Sequence, residues 1–119
     1  MAVQSIMKGM FNKKQRKIDY KYNERELLKE FSQYIDSTYL QHYSLDDFQA
    51  TEFIIDGGRG EGFCIGNILK YAQRYGKKNG YDRKDLLKVL HYSLMMLYVH
   101  DRMLDKSLRQ IIRSGDQKK

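Results

Sequence analysis

Asn67, Lys70, Tyr71 and Arg74 stand at i, i+3, i+4 and i+7, so a helix through them gathers all four on one face. Lys77 and Lys78 follow directly after Gly76, and Lys88 lies in the next apolar-periodic run. If two helices meet at this glycine-rich basic turn, Arg74, Lys77, Lys78 and Lys88 come close together with an amide beside them. Guanidinium and ammonium groups so arranged suit an anion with several oxygens, above all phosphate, which they hold by charge-assisted hydrogen bonds.

The elements that must position these side chains are helical. Proline is absent, which favours uninterrupted helices, and no segment alternates with the period of a strand. The spacing predicts helices near 23–40, 45–56, 61–75 and 82–112, an all-α fold of about four helices ordered around the third. Asn23 with Glu26 resembles a capping box, and Leu27, Leu28, Phe31, Tyr34, Ile35 and Leu40 supply an apolar face behind it. Ser44, with Asp47 three on, caps a second helix carrying Phe48, Ala50, Phe53 and Ile54. Gly57-Gly58 ends that helix, and the glycine-rich run 57–62 reads as a flexible hinge, since its spacing is not that of a Walker A loop or dinucleotide fingerprint. Phe63, Ile65, Ile68, Leu69 and Ala72 form the apolar stripe of the third helix, and Gly76 suits its C-cap. Asp82 caps the long last helix, with Asp85 three residues on, and Gly115 is expected to stop it.

The chain has 119 residues and a net charge of +7, the size of one domain. Residues 1–22 hold six Lys/Arg against one Asp, giving +5, and residues 102–119 hold six against two, giving +4. Within the middle, 23–58 has two basic and eight acidic residues (−6), whereas 59–88 has eight basic and three acidic (+5). The positive charge at the central turn is therefore local. Residues 1–22 read as a basic arm without fixed structure until it meets a partner, 23–113 as the helical domain and 114–119 as a polar tail. The single cysteine, Cys64, excludes an intramolecular disulfide and a cysteine zinc cluster. No apolar run reaches the ~20 residues of a membrane span, so a cytoplasmic protein is the expectation. Leu94, Met95, Met96, Leu97, Val99, Met103 and Leu104 give the last helix more apolar surface than one small core covers, which predicts a homo-oligomer.

The string Phe63-x-x-Gly66-Asn67-Ile68-Leu69-Lys70-Tyr71-x-x-Arg74-x-Gly76-Lys77-Lys78, followed by Asp85-Leu86-x-Lys88-x-x-x-Tyr92, resembles the SaV-like family of small bacteriophage proteins. His42-Tyr43 and Ala50-x-Glu52-x-Ile54 match it too, so the resemblance covers roughly residues 42–98. Gln41, where the family often has proline, and Val89, where alanine is common, depart from its pattern. The family includes a nucleotide kinase of T-odd coliphages that acts on deoxynucleoside monophosphates without a Walker motif. The resemblance therefore implies a phage protein working in the cytoplasm of the infected host, with a nucleotide as substrate and ATP or another nucleoside triphosphate as phosphate donor. It marks His42, Tyr43, Asn67, Lys70, Tyr71, Lys77, Lys78 and Lys88 for substrate binding. It marks Glu52, Arg74 and Asp85 for the chemistry.

Phosphoryl transfer requires neutralised oxygens and an in-line donor and acceptor. Lys70, Arg74, Lys77, Lys78 and Lys88 supply charge, Asn67 can orient a base or ribose, and Glu52 or Asp85 can bind a metal or accept a hydroxyl proton. A domain this small hardly encloses two nucleotides, which places such a site between subunits. Two other readings stand beside this one. The polar residues can serve the corner itself, with Asp85 paired to Arg74 or Lys70, Asn67 bridging loop carbonyls, and Tyr71 and Tyr92 closing the core. Alternatively, the chain is a non-enzymatic phage accessory protein that binds a nucleotide, nucleic acid or a host protein through its basic surface.

Overall fold

With no proline to remove a donor, the ladder of i to i−4 hydrogen bonds runs unbroken over long stretches. The computed structural model describes residues 17–41 and 45–117, whose regular elements are all helices, with no strand among them. The helices are α1 (Glu24–Gln41), α2 (Leu45–Ile54), α3 (Gly60–Arg74) and α4 (Arg83–Gln117), with a π-helical turn at Ile55–Arg59 between α2 and α3. The chain divides into two units between Glu30 and Phe31.

In the first unit the described residues begin at Lys17, and those before Glu24 are not helical. The Arg25 guanidinium lies 5.0 Å over the Tyr20 ring. The helix starts where the spacing predicts, but its cap differs. Asn23 has φ +60°, a region its short side chain tolerates, and its carbonyl accepts the Leu27 N–H at 3.0 Å. The carboxylate that reaches back belongs to Glu24, not Glu26, and accepts the Tyr22 N–H at 2.6 Å. Leu27 and Leu28 are exposed rather than core.

In the second unit α3 and α4 run antiparallel, with Gly60 against Val99 at one end and Tyr71 beside Lys88 at the other. A Cβ on Gly60 would lie 2.8 Å from Val99 Cγ2, so this crossing needs a residue without one. Cys64, one turn on, is fully buried, and burial pushes its thiol pKa up. The α3 side that meets α4 is therefore built on Gly60, Cys64 and Tyr71. This corrects part of the predicted stripe, of which Phe63 does reach α4, edge-on to Tyr92. Ile65, Leu69 and Ala72 are exposed, while Phe63 and Ile68 are half-buried. Small residues set the closest approach of two helices, and bulk alone misidentified the packed face. Phe53 on α2 and Leu40 on α1, both predicted apolar-face residues, are also exposed.

The glycine run holds a kink between α2 and α3: Gly58 takes φ +82°, Arg59 takes φ −106° and ψ 11°, and helix resumes at Gly60. Beside it Arg102 binds Asp56 at 3.3 Å and the Tyr98 hydroxyl at 3.1 Å. At the other end Gly76 takes φ +86° against the Tyr81 ring, and its N–H donates to the Gly80 carbonyl at 2.8 Å. Asp82 caps α4 as predicted, its carboxylate accepting the Lys84 N–H at 2.9 Å. Gly115 does not stop this helix, which runs on to Gln117. A lone glycine costs about 1 kcal/mol in a helix interior, too little to terminate one this long.

Candidate functional site

The corner predicted from spacing is built where α3 ends and α4 begins. Tyr71 is its hub. Its ring stacks on Tyr92 of α4 at 5.9 Å between centroids, with planes 7° apart, and Tyr92 meets Phe63 edge-on at 5.8 Å. Three cations converge on the same Tyr71 ring: Lys88 Nζ at 4.8 Å, the Arg74 guanidinium at 5.0 Å and Lys70 Nζ at 5.2 Å from its centroid. Lys70 and Arg74 reach it from neighbouring turns of α3, and Lys88 reaches it from α4. Each contact is worth about 0.5–1 kcal/mol at an exposed position, which offsets part of the repulsion among three like charges. Among the described residues no carboxylate pairs with any of the three.

Asp85 lies one turn before Lys88 on α4 and is 3% exposed. Its N–H donates to the Asp82 carbonyl at 3.1 Å, whereas its Oδ2 is buried with no hydrogen-bond donor among the described residues. The structural reading of the corner required Asp85 to pair with Arg74 or Lys70, and neither pair forms. A buried oxygen without a donor costs about 1–3 kcal/mol, a penalty this carboxylate carries at the first turn of α4. The positive end of that helix favours its charge.

The remaining predicted residues separate into those that join the corner and those that do not. Asn67 is half-buried, and its amide donates to the Phe63 carbonyl of its own helix at 2.9 Å, with no loop carbonyl among the described residues bridged. Lys77 is exposed and donates to Gln73 Oε1 at 3.3 Å, and Lys78 is exposed in the turn. Both belong to the rim. Glu52 is exposed on α2, and no hydrogen bond or ion pair joins it to the cations at Tyr71. His42 and Tyr43 lie outside the described residues. Among the described residues no group of three His, Cys, Asp or Glu is placed to hold a metal ion.

One titratable neighbour escaped the sequence reading. His91 sits edge-on to Phe31 at 6.4 Å and to Tyr34 at 6.1 Å, beside Tyr92. Burial lowers its pKa from the ordinary 6.5. Burial also raises the pKa of Tyr92 and of Tyr34, with Tyr71 adding to both. The corner is thus backed by neutral aromatic groups, a low-polarity wall that strengthens interactions with the cations in front of it. The signal for His91 was its place beside Tyr92, itself four residues after Lys88.

No helix among the described residues is long and apolar enough to cross a membrane. No curated protein and no solved structure matches the chain significantly. Residues 37–93, a stretch containing α2, α3, the basic turn and the first turns of α4 with Asp85, Lys88 and Tyr92, match a family model described as a protein of unknown function, DUF3310. The chain is an all-α protein carrying a DUF3310 domain at residues 37–93.

Proposed function

We propose that the α3–α4 corner binds the phosphate groups of a nucleotide, and that the chain is a bacteriophage nucleotide-metabolism protein of the (deoxy)nucleoside monophosphate kinase kind. The observation that carries the reading is the convergence of Lys70, Arg74 and Lys88 on one ring, with no carboxylate partner among the described residues. Three unneutralised cations this close favour an anion with several oxygens over water. Arg74 contributes most, because its planar fork can bind two phosphate oxygens at once. Lys77 and Lys78 at the rim extend the field outward. The resemblance to the SaV-like family, which runs through these same residues, supports phosphate transfer as the use of the site.

In that use the acceptor monophosphate oxygen forms a bond to the γ-phosphorus of a nucleoside triphosphate, and the bridging bond to the β-phosphate breaks. Two diphosphates result. The cations would neutralise the equatorial oxygens as charge redistributes. Glu52 stands exposed on α2 without a link to the corner, which favours a second reading: a binder of nucleotides or nucleic acid that performs no transfer.

The test is a titration with mono-, di- and triphosphates read by calorimetry, followed by incubation of a monophosphate with a triphosphate and separation of the products. Binding with diphosphate formation is the expected result. Binding without turnover leaves the second reading, and indifference to every nucleotide ends both.

A further inference from the structure

One face of α4 remains unused by the corner and by α3. Leu87, Leu90, Leu94, Leu97, Asp101, Leu104, Leu108 and Ile111 follow one another at alternating steps of three and four, the a/d repeat of a two-stranded coiled coil. Asp101 alone breaks the apolar run. The seam is open to solvent: Leu97 is 62% exposed, Leu108 56% and Ile111 66%, and Leu90, Leu94 and Leu104 are about half exposed. The positions packed against α3 fall on the opposite side, as Asp85 (3% exposed), Tyr92 and Val99 (6%) at steps of seven. Seam and packed face are thus separate surfaces of one helix, and occupying one leaves the other intact.

We infer that the seam is the interface for a second copy of this chain, paired antiparallel through α4. The area is sufficient. The six open seam residues with Leu86, Tyr98 and Ile112 beside them expose on the order of 1,000 Å², against roughly 800 Å² per partner in a standard stable interface. Charge selects the direction. A parallel pair would set the two Asp101 carboxylates against each other in one layer, where like charges repel. An antiparallel pair, in which a positions oppose d positions, instead matches Leu87 with Ile111, Leu90 with Leu108 and Leu94 with Leu104, and sets Asp101 opposite Leu97. Every other layer is then apolar on both sides. A second α4 carries the same repeat over the same length and fills the seam from Leu87 to Ile111.

Sedimentation of the full chain at tens of micromolar, a concentration above the dissociation constant of a stable pair, should give a dimer. Leu97→Glu and Leu104→Glu should return it to monomer with unchanged far-ultraviolet circular dichroism, since both side chains face solvent within a copy. Asp101→Asn should tighten the dimer by about tenfold or more by removing the seam charge. On oxidation, Leu94→Cys mixed with Leu104→Cys should cross-link, and Leu94→Cys alone should not. A monomeric wild type overturns the proposal, including one whose melting temperature falls with Leu104→Glu because another part of the chain covers the seam. A dimer indifferent to both glutamates overturns it as well, and cross-linking through Leu94→Cys alone overturns the antiparallel pairing.

Discussion

At the scale of single residues, two side chains decide between a corner that holds itself together and one that holds a ligand. Asp85 is buried with an unpaired Oδ2 and, among the described residues, no ion pair. Removing one member of a buried ion pair costs about 3–5 kcal/mol, whereas here there is no pair to break. Asp85→Asn should therefore change unfolding free energy by less than about 1 kcal/mol, read by urea melts, while weakening nucleotide binding. Arg74→Ala forfeits a contact over Tyr71 worth about 0.5–1 kcal/mol of stability. Its larger effect should be a loss of about 1.5–3 kcal/mol in nucleotide affinity, the worth of hydrogen bonds to a charged group. His91 supplies a third test. Its folded pKa is lowered by burial, so as pH falls through and below 6.5 the unfolded chain takes up the proton first. Stability is full above that value and declines below it. Thermal melts from pH 8 downward should show the decline, and His91→Gln should flatten it. The basic residues of the corner were legible because helical spacing alone groups them. The unpartnered state of Asp85 was not, since a sequence shows which charges are near but not which of them meet.

At the scale of elements, helix existence was readable and helix faces were not. The 3.6-residue period, the lack of proline and the Asp82 cap predict α3 and α4 within a few residues of their observed ends. The same period assigns the α3 core to Phe63, Ile65, Ile68, Leu69 and Ala72, whereas of these Phe63 meets α4 beside a face built on Gly60, Cys64 and Tyr71. Close approach, not side-chain bulk, selected that face. It also turned the polar stripe toward α4, which is how Lys88 comes to join Lys70 and Arg74 around Tyr71. The crossing can be tested directly. Gly60→Ala places a methyl 2.8 Å from Val99 Cγ2 and should cost about 1–3 kcal/mol by overpacking. Pairing it with Val99→Ala should recover part of that loss, a non-additivity that a double-mutant cycle reads out. Four glycines in six residues read as a hinge, and the fold kinks there, at Gly58, where the chain passes from α2 into α3.

At the scale of the whole molecule, the charge map acquires a physical location. The +5 of residues 59–88 against the −6 of 23–58 is visible in composition, and its active part is three cations on one aromatic ring. The rest of the basic excess lies toward the chain ends and is a separate matter. Because the three cations repel one another without an anion, inorganic phosphate and pyrophosphate should stabilise the fold more than chloride does at equal ionic strength. Nucleotides should do so more strongly still, since preferential binding to the folded state raises its stability by mass action. The most direct measurement is a thermal melt of wild type, Lys70→Ala, Arg74→Ala and Lys88→Ala, with and without a panel of nucleoside mono- and triphosphates. A nucleotide-dependent rise in the wild-type melting temperature that shrinks in all three variants is the predicted result. A wild-type protein that melts at the same temperature with every nucleotide, beside variants that merely melt earlier, would contradict it.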